Sequence, residues 1–297
     1  MSSTSSTISS IRVSGSPSPA AVRLRTVRRA LRTNPLMTAG MVLVIVWITV
    51  AILAPVIAPF DPLAQNVANR LQPPNGTHWF GTDELGRDLF TRVLYGGRIT
   101  IPAGLLVVII GGFIGVGVGA VAGFLGGIAD EIIMRLSELF MAFPTIILAM
   151  AVTAALGPDI RNAIIALVIV WWPQYARLVR GQVLRVKSQE YVEAAECIGA
   201  SRFRILVRTV LPNTLSPVLV MLAVDVGAAV LTFAGLSFLG LGPEPSSPEW
   251  GRMVSVGVDY FDQWWTWLFA GLAIALMVIA FNFIGDGLRD LNDPRLR

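Results

Sequence analysis

Six long apolar stretches alternate with shorter polar segments along this chain of 297 residues. A helix needs about 20 consecutive apolar residues to cross the hydrocarbon core of a membrane, and each stretch approaches that length. The pattern therefore predicts an all-α membrane protein with six transmembrane helices. The stretches lie near residues 36–57, 101–126, 137–157, 162–178, 214–240 and 264–285.

Prolines and tryptophans modify this simple pattern in the later stretches. Pro144 and Pro173 interrupt the third and fourth stretches, so we expect kinks there. Tryptophan is enriched where a membrane meets water. We therefore expect an interfacial belt formed by the tryptophans of the fourth stretch and those that open the sixth, namely Trp171, Trp172, Trp264, Trp265 and Trp267.

The composition supports a membrane location and excludes several chemistries. Hydrophobic residues make up 54% of the chain and charged residues 14%, against about 25% in soluble domains. Lys187, His78 and Cys197 are the sole residues of their types. They cannot supply a P-loop, a zinc cluster, an HExxH site or an internal disulfide. With no lysine, histidine or cysteine inside the spans, we expect a protein that is not an enzyme.

The distribution of basic residues predicts how the chain is oriented. With the N-terminus inside, 17 of the 23 lysine and arginine residues fall in inside segments and 6 in outside segments. The positive-inside rule therefore favours both termini inside. Residues 1–34 are rich in serine and arginine and free of acids, a composition that also occurs in mitochondrial transit peptides. We favour a disordered cytoplasmic tail that touches anionic lipid, and a second cytoplasmic tail at 287–297.

A charged segment at residues 189–213, here called the elbow, lies between the fourth and fifth stretches. Tyr191, Ala194, Ala195 and Ile198 have the spacing of one helical face. Gly199 then breaks the pattern, at a point where a left-handed backbone conformation is least costly for glycine.

A second short helix follows this turn. Ser201 is suited to cap it, and its apolar stripe comprises Phe203, Leu206, Val207 and Val210. Pro212 suits the first turn of the fifth span. By periodicity alone, the elbow could also be an ordinary loop lying on the membrane surface.

The amino-acid sequence of the elbow resembles a known motif. The EAA loop of ABC-type import permeases has the pattern EAA-x3-G-x9-I-x-LP, and this chain departs from it at Thr209. The matching residues are Glu193, Ala194, Ala195, Gly199, Leu211 and Pro212. The resemblance implies a cytoplasmic coupling helix that docks on a separate ATPase. The residues implied in this coupling are Tyr191, Glu193, Ala194, Ala195, Ile198, Gly199, Phe203, Leu211 and Pro212.

Three further segments resemble one branch of these permeases, the C-type subunit of dipeptide and oligopeptide importers. They are HWFGTDELGRDLFTRVLYGGRIT at 78–100, LSFLGLGPEPSSPEWGRMV at 236–254 and GDGLRDLNDPRLR at 285–297. In the first segment, the spacing predicts Glu84–Arg87 and Asp88–Arg92 pairs on a surface helix that Gly96 and Gly97 end.

This resemblance implies a type I ABC importer permease fold in the bacterial plasma membrane. It places a first helix and an extracytoplasmic loop at 35–100, and a five-helix core at 101–286. Its implied partners are a second related permease, one fused or two separate ATPases, an extracytoplasmic peptide-binding protein and membrane lipid, but no nucleic acid. ATP and magnesium would be bound by the ATPases, and this chain would hold no cofactor. The implied cargo is a dipeptide, a longer peptide or a related small solute, moved by alternating access.

A ladder of glycines runs along the second stretch at intervals of four residues, a spacing that allows another helix to approach closely. It comprises Gly111, Gly115, Gly119, Gly123 and Gly127. The neighbouring helix could belong to this chain or to a partner permease.

Asp225 lies near the middle of the fifth stretch, where a charge usually faces water or a partner. It is either a polar residue that faces the bundle interior or a residue of the translocation path that touches the amino group of a peptide. An alternative function, a proton-coupled secondary transporter, would also use Asp225.

Overall fold

The computed structural model describes residues 34–292. These residues form helices joined by loops, apart from one isolated bridge between Thr82 and Asp88. The tails expected before residue 34 and after residue 292 lie outside the described residues. The helices are α1 (Pro35–Ile57), α2 (Leu89–Leu125), α3 (Gly127–Met141), α4 (Thr145–Leu156), α5 (Ile160–Lys187), α6 (Glu190–Cys197), α7 (Arg202–Ile205), α8 (Leu211–Phe238), α9 (Trp250–Val258) and α10 (Trp265–Asn292), with a 3-10 turn at Val67–Asn69 and a π-helical segment at Leu206–Val210.

Five helical segments of the described chain are long and apolar enough to cross a membrane, and a bent pair makes a possible sixth. The pair is α3 and α4, which meet at 91°. The third apolar stretch was predicted as one span, but the structure divides it at residues 142–144. Pro144 precedes the first residue of α4 in a non-helical conformation with φ −55° and ψ 127°. Its ring disfavours a helical backbone at the residue before it, Phe143, so the helix cannot continue through this point.

Helix α2 begins twelve residues before the predicted second span. Asp88 caps it by accepting a hydrogen bond from the backbone N–H of Thr91 over 2.8 Å. Gly96 and Gly97 were predicted to end a surface helix, but they lie inside α2. A Cβ atom at Gly96 would stand 2.5 Å from the carbonyl oxygen of Pro248, so glycine serves here for close packing.

The fifth span also begins earlier than predicted. Residues 202–238 are helical without interruption, and the π-helical segment Leu206–Val210 lies within this run. Pro212 cannot donate to a carbonyl one turn back, and widening of the preceding turn accommodates its ring. The second elbow helix is therefore continuous with the span, because no break separates α7 from α8. The fourth and sixth spans also extend beyond their predicted ends, to Lys187 and Asn292.

The core lies along the contact between α2 and α5, which pack closely over much of their lengths. Helix α10 packs against α8 and α1 and closes the other side of the bundle. Trp171 and Trp172 were predicted to lie in an interfacial belt, but both are buried in the bundle. Residues 287–292 continue α10, so this part of the expected C-terminal tail is helical.

Candidate functional site

Asp225 lies inside the bundle with three polar partners from one neighbouring helix. Its Oδ2 accepts hydrogen bonds from Tyr175 Oη over 2.7 Å, Gln174 Nε2 over 3.2 Å and Trp171 Nε1 over 3.4 Å. The three donors occupy positions i, i+3 and i+4 on α5, so they share one helical face. They compensate the carboxylate for part of its lost hydration, which is costly in an apolar region.

This carboxylate lines a cavity of about 520 Å³ between α5, α8 and the break separating α3 from α4. Ligand sites commonly measure about 300–1,000 Å³, so this volume is large enough for a small organic solute. Rings and hydroxyl groups form much of the wall. The lining residues are Phe140, Met141, Phe143, Thr145, Ile146, Val170, Trp171, Gln174, Asp225, Ala228 and Thr232.

The glycine ladder of α2 sets the position of α5, the helix that carries the three donors. A Cβ atom at Gly115 would lie 2.5 Å from Tyr175 Cβ, and one at Gly119 would lie 2.8 Å from Ala176 Cα. Gly111 and Gly123 also face α5, so the neighbour of the ladder belongs to this chain. Gly127 does not extend the ladder. It begins α3 with a φ of 59°, and a Cβ atom there would meet nothing within 4 Å.

The elbow has the turn that the sequence predicts. Helix α6 ends at Cys197, and Gly199 has a φ of 78°, in the left-handed region that favours glycine. Ser201 then caps α7 by accepting from the backbone N–H of Arg204. On the inner side of this turn, Val192, Ile205 and Val210 pack with residues near the ends of α2 and α5.

The elbow also exposes apolar side chains, which together are here called the elbow face. Its residues are Tyr191, Ala194, Ile198 and Phe203; Ile198 is 85% exposed and Phe203 is 77% exposed. Ala195 is half-buried, and Val210 of the predicted second stripe is fully buried. The buried position of α6 is Val192, which the predicted stripe did not include. Among the remaining motif residues, Glu193 and Pro212 are exposed and Leu211 is half-buried.

The segment between α1 and α2 folds around a buried charge cluster. Arg87 donates from Nε to Asp83 Oδ2 over 2.6 Å and from Nη2 to Glu84 Oε1 over 2.7 Å. Burial and the charge of Asp83 raise the pKa of Glu84, against the opposing influence of Arg87. The predicted Asp88–Arg92 pair does not form. Arg92 lies 3.5 Å from Asp83 instead, and Asp88 pairs with His78 at 2.9 Å.

Two of the segments that carry the family resemblance meet at this charge cluster. Arg92 donates to the carbonyl oxygens of Ser246 and Ser247, and the indole of Trp250 donates to Val93 O over 2.9 Å. Glu249 is completely buried beside Trp250 and accepts from Thr100, Ser237 and two backbone N–H groups. Burial is the main reason that the pKa of Glu249 lies above its usual value.

Sequence reasoning identified Asp225 but missed the three residues that hold it. The sequence did contain a sign of this site. Trp171, Gln174 and Tyr175 carry hydrogen-bond donors at positions i, i+3 and i+4 of an apolar stretch. The sequence pattern alone places the tryptophans in an interfacial belt. Which carboxylate would face them could not be read from spacing along the chain.

Comparison with known proteins identifies the family to which the chain is similar. Residues 115–297 match the family described as binding-protein-dependent transport system inner membrane component, and residues 23–74 match the N-terminal TM domain of oligopeptide transport permease C. Among solved structures, the MetNI methionine ABC transporter in inward-facing conformations aligns with a TM-score of 0.52 and 20% identity, over 69% of this chain and 98% of that chain. At that identity the likeness concerns the fold.

Curated relatives align over nearly their whole lengths. The probable D,D-dipeptide transport system permease protein DdpC of Escherichia coli K12 is 47% identical, with 89% of each chain covered. The dipeptide transport system permease protein DppC of Bacillus subtilis is 40% identical, over 91% of this chain and 85% of that protein. The glutathione transport system permease protein GsiD of an Escherichia coli O6 strain is 46% identical, over 91% and 89%.

The chain therefore belongs to the binding-protein-dependent inner-membrane permeases and has the type I ABC importer permease fold. It is a permease subunit of an ABC transporter, located in the bacterial inner membrane. Its homologues are transport permeases, which are not catalytic subunits.

Proposed function

We propose that this permease imports short peptides by alternating access, driven by partner ATPases and supplied by an extracytoplasmic peptide-binding protein. The observation that carries this proposal is the pairing of an exposed elbow face with a carboxylate-lined cavity in the same bundle. The names of the relatives support a peptide cargo, since they include dipeptide, D,D-dipeptide and glutathione transport. In this proposal Asp225 lies on the translocation path.

The proposed topology has six spans, with both termini in the cytoplasm. The bent pair of α3 and α4 supplies the third span, and the excess of basic residues in the inside segments supports the orientation. The loop within 35–100 is then extracytoplasmic, and residues 101–286 form the translocation core. Residues 1–34 and 287–297 face the cytoplasm, where the arginine-rich first segment can contact anionic lipid.

The elbow face is proposed to dock on the ATPase. A largely exposed isoleucine and phenylalanine at the surface of a bent segment offer an apolar anchor, and Ala194 lets a partner approach closely. The sequence contains no P-loop motif, so ATP and magnesium would be bound by the ATPases. A second, related permease would complete the pathway, with one fused or two separate ATPase chains beneath the pair.

Co-purification tests this docking. Ile198→Asp places a charge on the elbow face at a position with little contact to the rest of the chain, so the variant should fold. We expect the tagged parent, solubilised mildly from its native membrane, to retain the ATPase and the variant to lose it. Glu190→Gln changes an exposed residue of the elbow that is not part of the elbow face, and this variant should retain the ATPase. A parent that is isolated alone from membranes that still transport would contradict the proposal.

Cys197 provides a test of orientation because it is the sole cysteine in the sequence and is exposed on the elbow. We expect a membrane-impermeant maleimide to label it in permeabilised cells and not in intact cells. Labelling of intact cells would place the elbow outside and overturn the proposed topology. Release of the ATPase should increase the labelling rate, since the elbow then loses its cover.

The proton-coupled alternative finds no support in the comparisons, in which the relatives are permeases of ABC transport systems. Uptake into proteoliposomes separates the two mechanisms. We expect uptake to need ATP and to persist when a protonophore removes the proton gradient. Uptake that requires the proton gradient and proceeds without ATP would favour the proton-coupled transporter.

A further inference from the structure

We propose that the cavity around Asp225 binds the free α-ammonium group of a peptide, so that the permease itself distinguishes unblocked from N-acylated peptides. This inference rests on the proposed peptide cargo. It assigns to the transmembrane subunit a selectivity for the charged end of its substrate.

The carboxylate of Asp225 is held so that one of its oxygens stays available. Tyr175, Gln174 and Trp171 all donate to Oδ2, and no donor from residues 34–292 reaches Oδ1. These bonds fix the direction of the carboxylate group. A ligand ammonium can therefore meet Oδ1 without displacing any of the bonds that position it.

The charge of the cavity favours a cation. All three donors are neutral side chains, and among the described residues that line the cavity Asp225 is the one charged group. No basic residue is among the described residues that line the cavity, and on α5 Arg180 pairs with Asp130 while Lys187 donates to Phe124 O. The negative charge of Asp225 is thus not neutralised within the cavity, and in an apolar surrounding it acts strongly on an incoming charge.

The walls fit an organic ammonium better than a metal ion. Phe140, Phe143 and Trp171 line the cavity, and aromatic faces attract ammonium groups through cation–π interactions. Divalent hard cations bind six or more oxygen ligands or retain their own water. Asp225 supplies the one carboxylate among the described lining residues, beside three aromatic rings. The described residues contain no group of three or more His, Cys, Asp or Glu side chains that could hold a metal.

The space also fits a peptide end rather than a bare ion. A volume of about 520 Å³ leaves room for the residues that follow an ammonium group beside Asp225. Thr145 of α4 and Thr232 of α8 also line the cavity. The hydroxyl of Thr232 donates to Ala228 O, so its oxygen can accept from a peptide N–H group. An N-acylated peptide carries no charge at its N-terminus, so it would bring Asp225 into contact with an amide while the carboxylate stays without a counter-charge. Such a contact is unfavourable in an apolar region.

Cysteine reactivity in the purified complex tests the charge of the cavity. The complex, with its partner subunits and without the binding protein, carries Cys197→Ser together with Ala228→Cys or Thr232→Cys, which line the cavity. We expect a cationic methanethiosulfonate to react roughly tenfold faster than an anionic one, because a focused negative potential raises the local concentration of cations. Adding Asp225→Asn should remove most of this preference.

A matched control uses the native cysteine. In a chain that retains Cys197 and lacks the cavity cysteines, the ratio of the two rates should not respond to Asp225→Asn, because Cys197 lies on the elbow. A preference that survives Asp225→Asn at residues 228 and 232 would overturn the proposal. Failure of both cavity cysteines to react would overturn it too, since the cavity would then be closed to ligands in the complex.

Ligand protection tests the proposed substrate end. Millimolar glycylglycine should slow modification of the cavity cysteines, and N-acetylglycylglycine at the same concentration should not. The difference should vanish with Asp225→Asn. Equal protection by the two peptides, or protection that is indifferent to Asp225, would refute ammonium recognition. The proposed function fails separately, if vesicles containing all partners and the binding protein show no ATP-dependent uptake of unblocked peptides.

Discussion

The hydroxyl of Tyr175 donates to Asp225 Oδ2 over 2.7 Å and thereby joins the middle of α5 to the middle of α8. Gly115 of α2 packs against the Cβ atom of the same tyrosine. The position of the carboxylate therefore depends on the packing of three helices. Small changes in that packing should alter both the stability of the bundle and the properties of the cavity.

Tyr175→Phe should lower the stability of the complex and weaken the binding of unblocked peptides. It removes a buried hydrogen bond to a carboxylate, which is worth about 1.5–3 kcal/mol. Thermal unfolding and the peptide-protection assay measure the two effects. Tyr95→Phe is the matched control, because Tyr95 lies on α2 away from the cavity lining. Equal effects of the two substitutions would argue against a special role for the Tyr175 hydroxyl.

Gly119→Ala should destabilise the bundle by about 1–3 kcal/mol, the usual cost of overpacking. The added Cβ atom would lie 2.8 Å from Ala176 Cα, and backbone atoms cannot move aside as a flexible side chain can. Gly117→Ala, two residues away on the same helix, meets nothing within 4 Å and should be neutral or slightly stabilising. Thermal unfolding of the two purified complexes measures the contrast, and equal melting temperatures would contradict the close packing of α2 on α5.

Asp83→Asn should loosen the segment between α1 and α2. Asp83 is buried and accepts from Arg87, so the substitution leaves a buried guanidinium with a weaker partner, at a cost of about 3–5 kcal/mol. Glu138→Gln removes one partner of an exposed pair with Arg135 and should cost less than about 1 kcal/mol. Limited proteolysis of the segment, together with thermal unfolding, compares the two variants. Similar protease sensitivity in both would show that burial of the Asp83 pair does not stabilise the segment.

Glu249→Gln should change how stability depends on pH. The pKa of Glu249 is raised in the folded protein, so the unfolded chain releases this proton at a lower pH than the folded chain does. The wild type should therefore lose stability as pH rises above the ordinary glutamate range, until the folded group has also ionised.

The glutamine variant should lack this component of the pH dependence. Melting temperatures of the purified complex, measured between about pH 4 and pH 7, test the expectation around the ordinary glutamate pKa of about 4.3. Glu244→Gln, at an exposed position of the same loop, should preserve the wild-type profile. An unchanged profile in Glu249→Gln would show that another group causes the dependence.

The helical and apolar character of the chain was predictable because it depends on local composition and length. The elbow was predictable for a similar reason. Its turn requires a positive φ, and Gly199 is the residue that adopts one at least cost. Helix ends were harder to predict, since α2 begins at a cap by Asp88 in a segment whose charges suggested a separate surface helix. Gly96 and Gly97 resemble a stop signal in sequence, but Gly96 gives room to Pro248 and Trp250.

The sequence by itself determined that the chain is an all-helical membrane protein with a charged elbow that turns at Gly199, because hydrophobic length and short-range spacing are properties of neighbouring residues. Only the tertiary structure decided which side of the elbow is open and which helix the glycine ladder contacts. It also decided that Trp171, Gln174 and Tyr175 surround one oxygen of Asp225, some fifty residues further along the chain. Such contacts depend on how separate helices rotate and pack, and the spacing of residues within one helix does not specify that.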